Sequence, residues 1–213
     1  MKYKAIIFDC DGTLLNTISD LTNAVNYALI NIGCCKQTDE DTLSMVGNGI
    51  KALVTRALPN SHKERFEEAF ALFKNYYGQH YADFTKPYDG ITDLLVELKK
   101  RGYKIALVSN KNKLYLKLLF DKFFAETIDY QIGETEGLAP KPASDMVYRA
   151  LENLNVDKNE AVYVGDSHVD VETAENSGMD GIFVTWGFAS KQDLIKCGAT
   201  KIIDAPQELL DLI

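Results

Sequence analysis

The sequence has no long apolar run at its N-terminus. The stretch within MKYKAIIFDCDG covers about five residues, well short of a signal peptide's apolar core or the roughly 20 residues of a membrane span. The expectation is a chain that starts here, stays in the cytoplasm and has no membrane partner. Cysteine is scarce. Cys10, Cys34, Cys35 and Cys197 show no metal-ligand spacing. Adjacent Cys34 and Cys35 make a poor structural bridge, so no disulfide framework is expected. Basic clusters are missing as well: 23 Lys and Arg stand against 31 Asp and Glu, a net charge of −8. Lys99, Lys100 and Arg101 suit the negative end of a helix dipole rather than a basic stripe. Without clustered cations there is little to bind a phosphate backbone, which excludes nucleic acid as a partner. Internal repeats and low-complexity segments are absent. What remains is 46% hydrophobic and 25% charged, enough to fill a core across 213 residues. One large domain, or one domain carrying an insert, fits that length.

Strand-like runs recur at Tyr3–Phe8, Lys104–Val108, Ile128–Ile132, Ala161–Val164 and Gly181–Thr185, each ending in glycine or a polar cluster. Helical patterns separate most of them, at Ile91–Arg101, Pro142–Leu154 and Val169–Ser177. This alternation predicts an α/β fold with a Rossmann-like parallel sheet. The runs IIF, IALV and VYV are continuous, as strands covered on both faces require. One region breaks the rhythm. Ile18, Leu21, Val25, Leu29 and Ile32 fall at helical spacing with Gly33 as a stop, and Phe66, Phe70, Phe73 and Tyr77 form a second helical face. The reading is a small α-helical cap domain, residues 16–82, inserted after the first strand of a core made of 1–15 and 83–213. Such an insert enters near the strand ends, where open α/β sheets bind ligands. Its aromatic face is read as core.

Polar residues gather at those strand ends: Asp9 and Asp11 after IIF, Ser109 and Asn110 after IALV, Lys141 in a loop, and Asp166 with Asp170 after VYVG. One such Asp alone would be a loop or cap residue. Several, converging from neighbouring strands, suggest a site. Carboxylates without a His and Cys set are oxygen ligands for a hard cation such as magnesium. With a lysine and a hydroxyl added, the set suits a phosphoryl group, whose transfer depends on positioning and charge neutralisation. Hydrolysis of phosphate monoesters needs enhancements of up to ~10²¹, whereas general acid–base catalysis supplies about 10²–10⁴. Division of the reaction through a covalent aspartyl-phosphate is the route that this gap favours.

These residues resemble, in order, the four motifs of the haloacid dehalogenase superfamily phosphatases. The motifs are Asp9-Cys10-Asp11-Gly12-Thr13, Ser109 with Asn110, Lys141-Pro142, and Gly165-Asp166-Ser167-His168-Val169-Asp170. The match spans essentially the whole chain. The resemblance implies Asp9 as nucleophile and Asp11 as the acid that protonates the leaving oxygen and then activates water. It implies Mg²⁺ held by Asp9, Asp166 and the main-chain carbonyl of Asp11. Asp170 would be a further ligand through water or a support behind the ligands. Ser109 and the amide of Asn110 would bind phosphoryl oxygens, and Lys141 would neutralise charge on nucleophile and phosphate. Gly12 would let the backbone leave the strand sharply.

Val46-Gly47-Asn48-Gly49-Ile50 resembles the cap loop of phosphoglycolate phosphatases, and Pro87-Tyr88-Asp89-Gly90, Ser109-Asn110-Lys111 and Thr185-Trp186-Gly187 match that subgroup. Ser109 stands where threonine is frequent there. Gly47, Asn48 and Gly49 are thus candidate substrate-binding residues, with Lys51 and Arg56 as further possibilities. His62 and His80 are expected at the surface, His168 as a variable loop residue, and Cys10 as a buried thiol facing the core. The implied function is magnesium-dependent hydrolysis of a small-molecule phosphate monoester. Alternatives are a sugar phosphomutase of the same superfamily, a pyrophosphatase or nucleotidase, and a non-catalytic phospho-acceptor domain. Oligomeric state is not readable.

Overall fold

A computed structural model describes residues 2–213. The chain divides into two compact units, one made of residues 1–15 and 87–213 and the other of residues 16–86. In chain order the described elements begin with β1 (Ala5–Phe8), β2 (Leu15–Asn16), α1 (Ile18–Asn31), α2 (Asp39–Leu43), α3 (Gly49–Ala57) and α4 (Phe66–His80). After β3 (Lys86–Pro87) come α5 (Ile91–Lys100), β4 (Lys104–Asn112), α6 (Lys113–Phe123), β5 (Tyr130–Glu134) and α7 (Asp145–Leu154). The chain ends with β6 (Ala161–Gly165), α8 (His168–Ser177), β7 (Asp180–Val184), α9 (Lys191–Lys196), β8 (Ile202–Ile203) and α10 (Leu209–Leu212).

The larger unit is a six-stranded sheet in the order β5-β4-β1-β6-β7-β8, with every adjacent pair parallel. It is the α/β, Rossmann-like architecture that the alternating pattern predicts. From β1 the chain crosses to β4 on one side, and from β6 it continues to β7 on the other. The order therefore reverses between β1 and β6, the switch point outside which such sheets bind ligands. Ile6, Ile7 and Phe8 are at most 1% exposed. Complete burial of such a side chain contributes about 1.5–3 kcal/mol, which explains an uninterrupted apolar strand. Ala5 and Ile7 share one core cluster with Ala106, Val108 and the α7 face of Met146, Val147, Ala150, Leu151 and Leu154. That face follows from the three- and four-residue spacing of its apolar positions. α7 stops at Asn155, which adopts a left-handed conformation with φ 51°.

Several boundaries differ from the sequence reading. The strand expected to end at Val108 runs through Ser109 and Asn110 to Asn112, with an irregular register against β5 after Val108. β8 is a two-residue edge strand, too short to leave a periodic signal. β2 and β3 pair with each other as a two-stranded ribbon at the two chain crossings.

The smaller unit is helical. Ile18, Leu21, Val25, Leu29 and Ile32 are all at most 8% exposed, as their spacing along α1 predicts. On α4, Phe73 and Tyr77 are fully buried, while Phe66 and Phe70 are half-buried and stack on each other at 5.5 Å. Buried Asp20 accepts from the amides of Phe84 and Thr85 and from Thr85 Oγ1 at 2.7–3.1 Å, tying the start of α1 to the end of the unit. No helix among the described residues is long and apolar enough to cross a membrane.

Candidate active site

Register alone brings the carboxylates together. Phe8 on β1 stands opposite Val164 on β6, and the Asp9 amide donates to the Val164 carbonyl at 2.9 Å. Asp9 thus stands level with Gly165, and Asp166 leaves the adjacent strand one residue further on. Carboxylate oxygens of Asp9, Asp166 and Asp170 lie within 4.8 Å of one another, and all three residues are buried.

Lys141 enters this group. Its Nζ lies 2.7 Å from Asp9 Oδ1 and 2.8 Å from Asp170 Oδ1, and it donates to the Tyr163 hydroxyl at 2.9 Å. The approach to Asp9 Oδ1 is off the line of a hydrogen bond, which leaves that oxygen without an aligned donor. The Lys141 loop is itself held by Asn110. The side-chain carbonyl of Asn110 accepts from the Lys141 amide at 2.7 Å, and its Nδ2 donates to the Lys141 carbonyl at 2.9 Å. The Lys141–Pro142 peptide is cis.

The two aspartates of the fourth motif have opposite surroundings. Asp170 Oδ1 accepts from Lys141 Nζ and the Tyr163 hydroxyl; its Oδ2 accepts from the amides of Asp166 and Ser167 and from Ser167 Oγ. Five donors meet about four carboxylate lone-pair positions, so nothing remains for a cation. Asp166 Oδ1 accepts from Thr13 Oγ1 at 2.9 Å, and its Oδ2 accepts from the Phe188 amide at 2.7 Å. One donor per oxygen leaves a lone pair on each.

Electrostatics follow this division. Burial pushes the Asp9 carboxyl up to about 7, with Lys141 opposing and Asp170 adding to the rise. Asp166 is raised well above the carboxylate range by burial and by the charges of Asp170 and Asp9. Burial would raise Asp170 too, but Lys141 together with hydrogen bonds from Ser167 and Tyr163 holds it below its ordinary value. Burial would lower Lys141, yet Asp170 and Asp9 drive it well above the ordinary lysine value. Three buried carboxylates against the Lys141 ammonium leave negative charge that is expensive to keep out of water. Either protons or a divalent cation would offset it. The donor set fits magnesium, with hard carboxylate oxygens on Asp9 and Asp166 and no soft ligand near them.

Asp11 lies beside the cluster, half-buried, and its Oδ1 accepts from Lys111 Nζ at 2.9 Å. Ser109 is buried, and its hydroxyl oxygen accepts from the Lys111 amide at 3.3 Å, keeping its hydrogen for another acceptor. Gly12 has φ 91°, and a Cβ there would stand 2.2 Å from Asp166 Oδ2. Glycine is therefore required at this sharp exit from β1 on both counts.

The site thus brings together Asp9, Asp11, Ser109, Asn110, Lys141, Asp166 and Asp170 within one unit. Gly47, Asn48 and Gly49 belong to the helical unit. There Gly47 and Gly49 have φ 109° and 81°, and Arg56 donates to the Met45 carbonyl and to Asn48 Oδ1, each at 2.7 Å. Arg56 is a brace for this loop. Cys10 is buried, and burial raises its thiol well above the ordinary value. His168 is exposed at the first position of α8.

Four contributors escaped the sequence reading: the Lys111 partner of Asp11, the Tyr163 hydroxyl, Thr13 Oγ1 and the Phe188 amide. Lys111 carried one usable signal, a cation directly after two strand-end polar residues. The Phe188 amide carried none, since a main-chain donor has no sequence identity.

The sequence pattern of the haloacid dehalogenase-like hydrolases matches residues 6–184. The phosphoglycolate phosphatase of Aquifex aeolicus is 30% identical over 186 residues, covering 87% of this chain and 86% of its own length. The N-acetylmuramic acid 6-phosphate phosphatase of Pseudomonas aeruginosa is 29% identical over 217 residues, covering 100% and 96%. A crystal structure from Lactobacillus delbrueckii subsp. bulgaricus, whose phosphoglycolate phosphatase name is provisional, superposes with a TM-score of 0.96 at 38% identity over 100% of this chain and 99% of that one. Relatives of nearly equal identity thus bear the names of different phosphate esters.

Proposed function

Because the chain belongs to the haloacid dehalogenase-like hydrolases and is a phosphatase of that family, we propose that it hydrolyses a small phosphate monoester of the phosphoglycolate type through a phosphorylated Asp9. The observation that carries this reading is the buried Asp9–Lys141–Asp170 cluster, a carboxylate nucleophile with a fixed cation beside it. Asp9 Oδ attacks phosphorus as the ester P–O bond breaks. Asp11 gives its proton to the departing oxygen. Asp11 then takes a proton from water, whose oxygen attacks phosphorus and breaks the bond to Asp9, releasing inorganic phosphate and restoring both aspartates. Ser109 Oγ and the main-chain amide of Asn110 donate to the phosphoryl oxygens. Lys141 neutralises charge that builds on them. Lys111 holds Asp11 from one side at 2.9 Å.

Asp9 and Asp166, with the main-chain carbonyl of Asp11, would hold magnesium, and Asp170 would anchor Lys141 instead. When bound, the ion supplies charge neutralisation and alignment at the phosphoryl group. The helical unit, with Gly47, Asn48 and Gly49, serves as the selectivity element. A cytoplasmic location accompanies this reading, since Cys35 and Cys197 are free and exposed.

The test is a panel of phosphorylated metabolites ranked by kcat/KM, run with magnesium and with EDTA. Phosphoglycolate should rank at or near the top, and EDTA should stop turnover reversibly. Activity that persists in EDTA would refute the metal role. A long-lived phosphoprotein without turnover would favour a phospho-acceptor domain, and interconversion of sugar phosphates would favour a mutase.

A further inference from the structure

The loop after β7, Thr185–Phe188, has no part in the chemistry above, yet it closes on one carboxylate of the cluster. Trp186 Nε1 donates to the Thr13 carbonyl at 3.0 Å. Thr13 Oγ1 donates in turn to Asp166 Oδ1, and the Phe188 amide donates to Asp166 Oδ2. Between them, Gly187 has no space for a side chain. A Cβ there would lie 2.3 Å from Asp166 Cβ and 2.4 Å from the Gly12 carbonyl oxygen.

The consequence is visible against Asp170, which sits one helical turn away. Asp170 receives five donors and is closed to any further partner. Asp166 receives one donor on each oxygen, and both come from residues outside its own motif. A carboxylate held in this way keeps a fixed orientation and presents its remaining lone pairs on one side. Loss of a group that orients a ligand from behind typically costs about 10–100-fold in metal affinity.

We propose that the Trp186–Phe188 loop is a positioning element for the cation site, interlocked with Gly12–Thr13, that aims Asp166 and thereby sets the affinity for a divalent cation. This inference rests on the reading of Asp9 and Asp166 as magnesium ligands. It carries its own reporter, because Trp186 is the only tryptophan in the chain. Its emission should respond to an ion that the chain binds through Asp166.

The experiment titrates EDTA-stripped full-length protein with magnesium chloride, followed by calorimetry for the wild type, Trp186→Phe and Asp166→Asn, and by tryptophan emission for the wild type and Asp166→Asn. The wild type should bind, with emission changing along the same isotherm, and Asp166→Asn should lose both signals. Trp186→Phe, which keeps the ring and loses the donor, should bind on the order of 10-fold more weakly. At saturating magnesium its KM for p-nitrophenyl phosphate should stay within about twofold of wild type, a split that general loosening of the fold would not produce. Gly187→Ala should weaken binding in the same direction; if it fails to fold, Trp186→Phe decides. Wild-type affinity in Trp186→Phe, or emission that ignores bound magnesium, overturns the positioning role and leaves the metal reading intact. Absence of magnesium binding by the wild type overturns both.

Discussion

The two units treat their polar residues differently. In the helical unit, buried or bracing polar groups satisfy main-chain atoms: Asp20 caps Phe84 and Thr85, Arg65 donates to the Ile32 carbonyl at 2.7 Å, and Arg56 ties Met45 to Asn48. Every one of these contacts closes a turn or a chain end. In the α/β unit, buried polar side chains instead face one another across strands, and Asp9, Asp166, Asp170 and Lys141 accumulate charge where burial makes it costly. A unit built only for stability would avoid this arrangement, since replacement of buried ion pairs by apolar groups is often neutral or stabilising. The contrast is in keeping with the proposed division, chemistry in one unit and selectivity in the other.

The largest expected effect tests that assignment at its centre. Asp9→Asn should reduce kcat by about 10⁴-fold or more, as loss of a covalent nucleophile does elsewhere, with substrate binding retained. Retained turnover would end the covalent mechanism. The same variant has a stability signature. The Asp9 carboxyl is raised to about 7 in the folded chain, against about 3.9 unfolded. Its protonated form thus favours folding, a contribution that is complete below about pH 4 and is lost as pH rises through 7. In EDTA, wild type should therefore lose up to a few kcal/mol of stability between pH 5 and pH 8, and Asp9→Asn should show a shallower slope, keeping only the part due to buried Asp166, and melt higher at pH 8. Thermal melts across this range decide the point.

Lys141→Met comes next. Removal of the cation shared by Asp9 and Asp170 should lower kcat by roughly 10²–10³-fold, measured by steady-state kinetics with circular dichroism as the fold check. Asn110→Ala leaves Lys141 in place but releases its peptide, and a loss of about 10-fold in kcat is expected from misplacement of the ammonium. An effect as large as that of Lys141→Met would mean that Asn110 does more than hold the loop. The smallest effect belongs to the helical unit. Arg56→Ala unbraces the Met45–Asn48 turn and should change the kcat/KM ratio between phosphoglycolate and a bulkier sugar phosphate by a fewfold, with p-nitrophenyl phosphate nearly unaffected. Equal losses on all three substrates would break the proposed division of roles.

Legibility in the sequence differed between the units for a physical reason. Strands β1, β4 and β6 were readable because strands buried on both faces must be continuously apolar, and the polar residue that ends each run then stands out. Helices α1 and α7 were readable from their three- and four-residue spacing. β8 was not, since two residues carry no period. Among site residues, the sequence singled out the groups to which chemical steps are proposed, such as Asp9, Asp11, Lys141 and Asp166. It missed those that act by holding others, including Tyr163, Lys111 and the Asn110 side chain in its grip on Lys141.

Asp166 and Asp170 show where that boundary lies. The sequence by itself determined that two carboxylates would follow β6, on a strand end beside Asp9, because apolar continuity and chain order dictate the sheet. Only the tertiary structure decided that they differ. Thr13 from the first motif and the Phe188 amide after β7 leave Asp166 with free lone pairs, whereas Lys141, Tyr163 and Ser167 fill those of Asp170. Hydrogen-bond capacity is a property of the finished surroundings, set by donors that lie up to 153 residues away along the chain.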